Sequence, residues 1–280
     1  MRYVRIRYRG EYMSNESNMN SVNKTLYIPL YGKVYVSKKN IIIQDKKAEE
    51  IWEQEGFKLK GKSKSKWLAY YMAMRSAIYD QWVECQINHN PNTIVLHIGC
   101  GMDSRVERVS ANNIRWYDID FPDVIEERRK YYVESEYYHM LAMDMRTDEW
   151  RKHIETNQDA IIVLEGVSMY FEPEELLGLL SNLSKHFKTL KILMDCYTEK
   201  AAKVSKYKNP INDVGVTTVY GYDNPDELAE SSDLMFEKEY NMTPQEYIDE
   251  LHGMERIIFK KLFAGKIAKS MYRMYEFRKE

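Results

Sequence analysis

The chain is poor in several features that would assign it to a particular class of protein. It has three cysteines in 280 residues, Cys85, Cys100 and Cys196, and their spacing matches no metal site. No apolar run is long enough to cross a bilayer, and the N-terminus lacks the apolar stretch of a secretion signal. We therefore expect no metal site, no membrane span and a reducing, cytoplasmic location.

The chain also lacks a large excess of charge of either sign. The 41 Lys and Arg residues nearly balance 43 Asp and Glu residues, which gives a formal net charge of −2. This balance provides no general attraction to nucleic acid or to an anionic membrane. What is present is apolar material, at 44% of residues with 13% aromatic, enough for the core of one large domain.

The most informative stretch begins at residue 94. Residues 94–98 (Ile-Val-Leu-His-Ile) have the composition of a buried strand and run directly into a loop that contains Gly99 and Gly101. A second apolar stretch, residues 115–119, is followed by Asp120, 21 residues after Gly99. A strand, a glycine loop and a carboxylate after the next strand are typical of a nucleotide-type site in an α/β sheet.

The charges in this loop favour one cofactor over another. A dinucleotide fingerprint would have a third glycine where this chain has Ser104, and Asp103 would repel a pyrophosphate. S-adenosylmethionine has no phosphate and carries an ammonium and a sulfonium group, so Asp103 favours its binding. Asp120 would then accept hydrogen bonds from the ribose hydroxyls. A dinucleotide site and a plain glycine turn with a solvated aspartate remain the alternatives.

Three further positions fit a methyl-donor site. Asp144 lies at a strand-to-loop junction, where it can accept a hydrogen bond from the adenine amino group while Met145 packs on the ring; a helix N-cap is an equal alternative. Glu165 ends a buried strand and can hold the donor's ammonium group. Arg75 lies beside the apolar stripe of a helix and can clamp the donor's carboxylate, although its position alone indicates a surface residue.

Periodicity predicts the fold. Trp67, Tyr71, Met74, Ile78 and Trp82 mark a long amphipathic helix. Short apolar strands are expected at 94–98, 115–119, 138–143, 160–164 and 190–194, with a possible strand at 217–222 and a closing strand at 271–277. Helices at Pro122 and around residues 176–187 separate them. Such alternation is typical of an α/β fold with a doubly wound, Rossmann-like parallel sheet.

The same patterns divide the chain. Residues 1–24 contain a Ser-, Asn- and Met-rich segment that looks loose, and one domain is expected over residues 25–280. Within it we expect an N-terminal helical part at 25–90 and a cofactor-binding core at 91–195. A cap or substrate segment at 196–250 would cover the carboxyl ends of the strands, and a closing helix and strand would occupy 251–280.

Taken together, several motifs resemble the leucine carboxyl methyltransferase family, which includes bacterial O-methyltransferases of polyketide synthesis. The motifs are residues 29–33, 44–50, 75–80, 99–105, 118–122 and 165–170, and the resemblance extends from about residue 25 to the C-terminus. It implies S-adenosylmethionine as donor and a seven-stranded class I methyltransferase sheet with an antiparallel last strand. The residues it implies are Arg75 and Lys33 for the donor carboxylate, Gly99 and Gly101 for the loop, Asp120 for the ribose, Asp144 and Met145 for the adenine, and Glu165 near the methionine part. The family usually has Asp-Leu where this chain has Asp144-Met145.

The expected reaction is O-methylation of the carboxylate of a small organic acid. Such an acceptor, with a pKa of about 4, is already ionised and needs no general base. The enzyme then has to remove water and hold the oxygen in line with the sulfonium methyl group. The six scattered histidines agree with this, and we expect His97 to be a core residue.

The acceptor itself is the most open part of the prediction. Tyr170 and Tyr197 follow strand ends and are candidates for orienting the acceptor, or for aromatic packing. A protein C-terminal carboxylate as acceptor, and a non-catalytic module that only binds S-adenosylmethionine, are the alternatives. A nucleic-acid acceptor is disfavoured, because residues 165–170 lack the Asn/Asp-Pro-Pro-aromatic set that grips a flipped base.

Overall fold

The computed structural model describes residues 21–56, 64–111, 113–205 and 218–280, with side chains from residue 26 onward. The described residues form a single seven-stranded sheet. Its strands are β1 (Ile94–Ile98), β2 (Arg115–Asp120), β3 (Tyr138–Ala142), β4 (Asp159–Leu164), β5 (Thr189–Tyr197), β6 (Met235–Glu239) and β7 (Tyr272–Lys279). Their order is β3-β2-β1-β4-β5-β7-β6, with β1 to β5 parallel and β7 antiparallel to β5 and β6.

Helices cover both faces of this sheet. They are α1 (Ser21–Ser37), α2 (Lys46–Glu55), α3 (Lys66–His89), α4 (Arg105–Arg108), α5 (Pro122–Arg128), α6 (Pro173–His186), α7 (Glu199–Ser205), α8 (Pro225–Glu230), α9 (Gln245–Asp249), α10 (Gly253–Leu262) and α11 (Lys266–Lys269). Short 3-10 turns occur at Glu149–Lys152 and Ser168–Tyr170. None of the described helices is long and apolar enough to span a membrane.

The central strands are apolar on both faces because both faces are covered. Val95 of β1 belongs to a hydrophobic cluster shared with α1, α2 and α3, whereas its neighbour Leu96 belongs to a second cluster shared with α6. Alternate side chains of a strand point to opposite faces, so each face needs its own apolar residues. This requirement explains the continuous apolar runs from which the strands were predicted.

Helix α1 packs closely along α3 at a glycine. A Cβ atom added at Gly32 would lie 2.9 Å from the Cβ of Met72, so a larger residue would push the two helices apart. The contact places the N-terminal helices over the end of β1: the Leu26 side chain lies beside Gly101, where an added Cβ would be 3.1 Å from it.

Most of the predicted elements are confirmed, including the five parallel strands, the long helix and the antiparallel closing strand. The predicted strand at 217–222 is wrong: in residues 218–222 only Gly221 pairs, through one isolated bridge to Tyr197, and Thr217 lies outside the described residues. Strand β6 was not predicted, because it is a largely exposed edge strand and carries no apolar run. Helix α1 begins at Ser21, so residues 21–24 are helical, while residues 1–20 lie outside the described part.

Candidate cofactor-binding site

The loop after β1 has a backbone that requires glycine. Gly99 has φ of +69°, and a Cβ added there would lie 2.0 Å from Cγ1 of Val167, which follows β4. Its N–H donates a 2.7 Å hydrogen bond to the carbonyl of Ile119 in β2. Gly101 also has positive φ, at +51°. Both conformations are strained for residues with a side chain. Glycine at both positions therefore lets the loop run close to the strand ends, and neither residue adds a side chain over its backbone.

Asp120 closes this loop from the end of β2. Its Oδ2 accepts a 2.8 Å hydrogen bond from the N–H of Gly101, and its Oδ1 accepts one of 2.8 Å from the N–H of Phe121. Burial raises the pKa of Asp120 to about 6, against the opposing effect of these two N–H groups. Because Asp120 is the last residue of β2, its carboxylate lies at the carboxyl edge of the sheet, where open α/β sheets bind ligands.

A buried ion pair beside the loop after β1 stabilises it. Arg128 of α5 binds Asp118 of β2, and its Nη1 donates a 2.9 Å hydrogen bond to the carbonyl of Gly101. The hydroxyl of Tyr138 and the indole of Trp116 also donate to Asp118, at 2.7 and 2.9 Å. Burial alone would raise the pKa of Asp118, but Arg128 reverses this and lowers it to about 2. Arg128 was not among the predicted site residues, because its charge in the sequence gives no signal of burial.

A second network lies at the ends of β4 and β5, around Arg75. Its Nε donates to Glu165 at 3.0 Å, and its Nη1 donates to Asp195 at 3.3 Å and to the hydroxyl of Tyr272 at 3.2 Å. Arg105 donates to the other oxygen of Glu165 at 2.5 Å. Burial opposes ionisation of Glu165, but Arg105 and Arg75 outweigh it and lower its pKa.

Two expectations change here. Arg75 is not the surface residue that its position indicated, since it is only 4% exposed and lies among three polar partners. Asp195 was not among the predicted site residues, although it is fully buried at the same edge. Its signal was present in the sequence: a carboxylate near the end of an apolar strand needs a buried partner.

Asp103 lies in a buried charge network rather than facing an open site. Its Oδ2 is 2.5 Å from Nζ of Lys33, and its Oδ1 accepts a 3.0 Å hydrogen bond from Arg108. Arg105 and Arg108 both bind Asp80 of α3, at 2.7 Å each. Burial would raise the pKa of Asp103, but these cations, with Arg108 first, hold it well below its usual range. Its charge is balanced inside the protein, so the argument that it attracts the positive charges of the cofactor does not hold.

The predicted adenine pair is split by the structure. Asp144 follows β3 and binds Arg146, with Nη2 and Oδ2 2.6 Å apart, and it also accepts a 3.0 Å hydrogen bond from the N–H of Arg146. It caps no helix, because the nearest helical turn begins at Glu149. Met145 is buried in the cluster on the α6 face of the sheet. Of the two, only Asp144 is therefore partly exposed, just after the carboxyl end of β3.

Aromatic residues surround the end of β5. The Tyr197 ring lies edge-on to that of Tyr272, with centroids 4.9 Å apart, and Tyr71 of α3 packs against Tyr272 at 6.3 Å. Tyr170 ends the 3-10 turn after β4 and is 37% exposed. His97 is confirmed as a core residue: it is 1% exposed, lies 3.3 Å from Asp118, and has a pKa lowered by burial.

The sheet order, with its single antiparallel strand and the glycine loop after β1, is that of the class I methyltransferase fold. The residues fit S-adenosylmethionine, since the loop has no side chain at Gly101, whose N–H binds the Asp120 carboxylate at the carboxyl edge of the sheet. More particularly, the chain belongs to the leucine carboxyl methyltransferase family, whose model matches residues 21–184.

Two relatives are similar in sequence. One is the tetracenomycin polyketide synthesis O-methyltransferase of Streptomyces glaucescens, 27% identical over 187 residues, which are 66% of this chain and 69% of the relative. The other is an S-adenosylmethionine-dependent methyltransferase of Gibberella zeae, 25% identical over 182 residues, which are 60% of this chain and 61% of the relative.

Solved structures that share the fold include two that align over most of both chains. A Thermobifida fusca YX protein assigned as a methyltransferase has a TM-score of 0.59 at 13% identity, covering 90% of this chain and 94% of that one. The magnesium protoporphyrin IX methyltransferase of Synechocystis PCC 6803, solved with bound S-adenosylhomocysteine, has a TM-score of 0.50 at 11% identity, covering 89% and 100%. At these identities the likeness concerns the fold alone.

Proposed function

We propose that this methyltransferase transfers the methyl group to the carboxylate of a small organic acid. The observation that carries this proposal is the pairing with Arg75 of the groups at the ends of β4 and β5. Glu165 and Asp195 share the guanidinium of Arg75. The pKa of Tyr272 is raised by burial, so its hydroxyl keeps its proton. These groups are poorly placed to remove a proton, which suits an acceptor that arrives already ionised.

The cofactor supplies a methyl group activated by a positively charged sulfur. We assign Asp120 to the ribose hydroxyls, the bare backbone at Gly99 and Gly101 to the close approach of the cofactor, and Asp144 to the adenine amino group. Met145, buried in the core, would support the adenine-binding part of the site through its packing. Lys33 and Asp103 bind each other and would hold the loop in place from behind.

Arg75 and Glu165 are assigned to the methionine part of the cofactor. Nε and Nη1 of Arg75 have protein acceptors, while Nη2 makes no hydrogen bond within the described part of the chain. A guanidinium with one free edge can bind a carboxylate, and charge-assisted hydrogen bonds of this kind are among the stronger ones in proteins. Glu165, kept ionised by its arginine partners, suits the ammonium group.

Tyr170 and Tyr197 are assigned to the acceptor. Tyr170 lies shortly after β4, Tyr197 is the last residue of β5, and Tyr170 is exposed. The hydroxyl of Tyr71, packed nearby against Tyr272, is buried and has no hydrogen-bond partner among the described residues. Aromatic walls with hydroxyl groups can orient an organic acid and exclude water from its carboxylate.

The Streptomyces relative supports oxygen as the methylated atom, since it is named an O-methyltransferase. The test uses S-adenosylmethionine labelled in the methyl group. Purified protein is incubated with a panel of organic acids, with the matching alcohols and phenols, and with cell lysate. We expect label in an organic-acid product that mild alkali releases as volatile methanol, because methyl esters are hydrolysed and methyl ethers are not.

Each other outcome has a definite meaning. Alkali-stable label on an alcohol or phenol would replace the carboxylate by a hydroxyl acceptor. Label in a polypeptide band, released by alkali, would indicate a protein carboxylate instead of a small acid. Cofactor binding without transfer to any acceptor would favour a binding module. The Asp120→Asn variant, which should bind the cofactor poorly, serves as the negative control.

A further inference from the structure

We propose that Asp195 is a positioning residue, which fixes the Arg75 guanidinium so that its free edge faces the methionine part of S-adenosylmethionine. This inference rests on the role proposed above for Arg75. Asp195 would act through Arg75 and would not touch the cofactor itself.

The contacts of Asp195 join three parts of the site. Its Oδ1 accepts hydrogen bonds from the hydroxyl of Tyr79, at 2.7 Å, and from the N–H of Gly166, at 2.8 Å. Its Oδ2 accepts from Nη1 of Arg75 at 3.3 Å. Asp195 is fully buried, so water does not compete for these bonds. One carboxylate of β5 thereby holds α3 and the turn after β4.

These bonds determine the orientation of a planar group. Glu165 holds Nε of Arg75 and Asp195 holds Nη1, so two separate anchors fix the plane of the guanidinium. Nη2 is left at the turn after β4, where Gly166 has φ of +70° and an added Cβ would lie 3.0 Å from Nη2. The backbone of this turn makes room for the free edge, and Asp195 holds the same turn through the Gly166 N–H.

Charge alone predicts the opposite result from positioning. If Asp195 mattered only as a negative charge near Arg75, its removal would raise the local positive potential and strengthen the binding of a carboxylate. If it positions Arg75, its removal frees the guanidinium to turn toward Glu165 and weakens that binding. The sign of the change therefore distinguishes the two roles.

The test compares two ligands that differ at the methionine part. S-adenosylhomocysteine carries the carboxylate and ammonium groups, whereas methylthioadenosine lacks both and keeps the adenosine. Both are titrated calorimetrically into the wild-type protein and into Asp195→Asn, Arg75→Met and Asp159→Asn. Asp159 is the matched control, because it lies at the opposite end of β4 and accepts hydrogen bonds from Thr189 and Asn90.

For Asp195→Asn we expect the affinity for S-adenosylhomocysteine to fall by about tenfold or more, as for loss of a charge-assisted contact, with methylthioadenosine changed less than about twofold. Asp159→Asn should change neither of the two affinities. Equal losses for both ligands would show a merely structural role, and tighter binding of S-adenosylhomocysteine would show a charge effect; either result overturns the proposal.

The Arg75→Met variant tests the assignment of Arg75 separately from that of Asp195. The relevant ratio is the affinity for S-adenosylhomocysteine divided by that for methylthioadenosine. If Arg75→Met leaves this ratio unchanged, the assignment of Arg75 fails and that of Asp195 fails with it. If it lowers the ratio while Asp195→Asn does not, only the inference about Asp195 is wrong. Should Asp195→Asn fail to fold, Tyr79→Phe removes one donor to Asp195 and should lower the ratio in the same direction; an unchanged ratio there also overturns the proposal.

Discussion

The N–H of Gly101 donates a 2.8 Å hydrogen bond to Oδ2 of Asp120, so the loop after β1 and the end of β2 hold each other in place. The glycine that gives the loop its left-handed turn thus also orients the carboxylate assigned to the ribose. Each oxygen of Asp120 accepts from one backbone N–H and keeps further lone-pair capacity for a ligand hydroxyl.

Replacing Asp120 by asparagine should weaken cofactor binding strongly. The amide NH2 group would face a backbone N–H, of Gly101 or of Phe121, and could not accept from the ribose. We expect Kd for S-adenosylmethionine to rise by about 10- to 100-fold, or roughly 1.5–3 kcal/mol, in a calorimetric titration. Asp123→Asn is the matched control, since among the described residues the Asp123 side chain accepts a hydrogen bond only from the adjacent N–H of Val124, and the change should alter Kd less than about twofold.

Cofactor binding should depend on pH through the same carboxylate. Burial raises the pKa of Asp120 from 3.8 to about 6. In the free protein the protonated form is favoured by folding, so its contribution to stability is complete below pH 3.8 and is lost as the pH rises through 6. The ionised form is the better acceptor for ribose hydroxyls, so affinity should fall below pH 6 by at most about tenfold per pH unit.

Calorimetric titrations between pH 5 and 8 measure this dependence. The wild-type protein should show an inflection near pH 6, and Asp120→Asn should lack it. An inflection of the same size in the variant would assign the pH dependence to another group.

Local signals explain why much of the fold was predictable. The strands at residues 94–98 and 160–164 are covered on both faces, and this leaves apolar runs that are visible without any tertiary information. The loop after β1 was equally visible, because positive φ at Gly99 and Gly101 demands glycine.

The missed parts of the site depend on contacts between distant residues. Arg75 and Asp195 are 120 positions apart and meet only because β5 lies beside β4 under α3. The charge of Asp103 was correctly noticed, but its pairing with Lys33, 70 positions earlier, depends on how α1 folds back. A charged residue in a sequence does not reveal whether its partner is a ligand or another side chain.

A side chain at Gly99 should disrupt the loop. The alanine Cβ would lie 2.0 Å from Val167 and would also have to adopt φ of +69°. We expect Gly99→Ala to destabilise the protein by about 2 kcal/mol or more and to weaken cofactor binding at least tenfold, measured by denaturant unfolding and calorimetry. Gly99→Ala combined with Val167→Ala should recover part of the stability.

The matched control for this change is Gly178→Ala. Gly178 lies exposed in α6, and a Cβ added there meets nothing within 4 Å among the described residues. Alanine is the better helix former, so this variant should be more stable by about 0.5–1 kcal/mol with unchanged binding. Equal effects of the two glycine substitutions would contradict the role given to the loop geometry.

The last prediction concerns the ion pair under the loop. Arg128→Ala leaves the fully buried Asp118 without its cation, and losing one partner of a buried pair costs about 3–5 kcal/mol. It also removes the hydrogen bond to the Gly101 carbonyl, so the surviving folded protein should bind S-adenosylmethionine more weakly. Arg115→Ala is the comparison, because its pair with Glu155 is exposed and is worth at most about 1 kcal/mol. Chemical denaturation of both variants measures the difference; similar losses would mean that Asp118 finds another partner, and unchanged cofactor affinity in Arg128→Ala would show that the loop does not need support from α5.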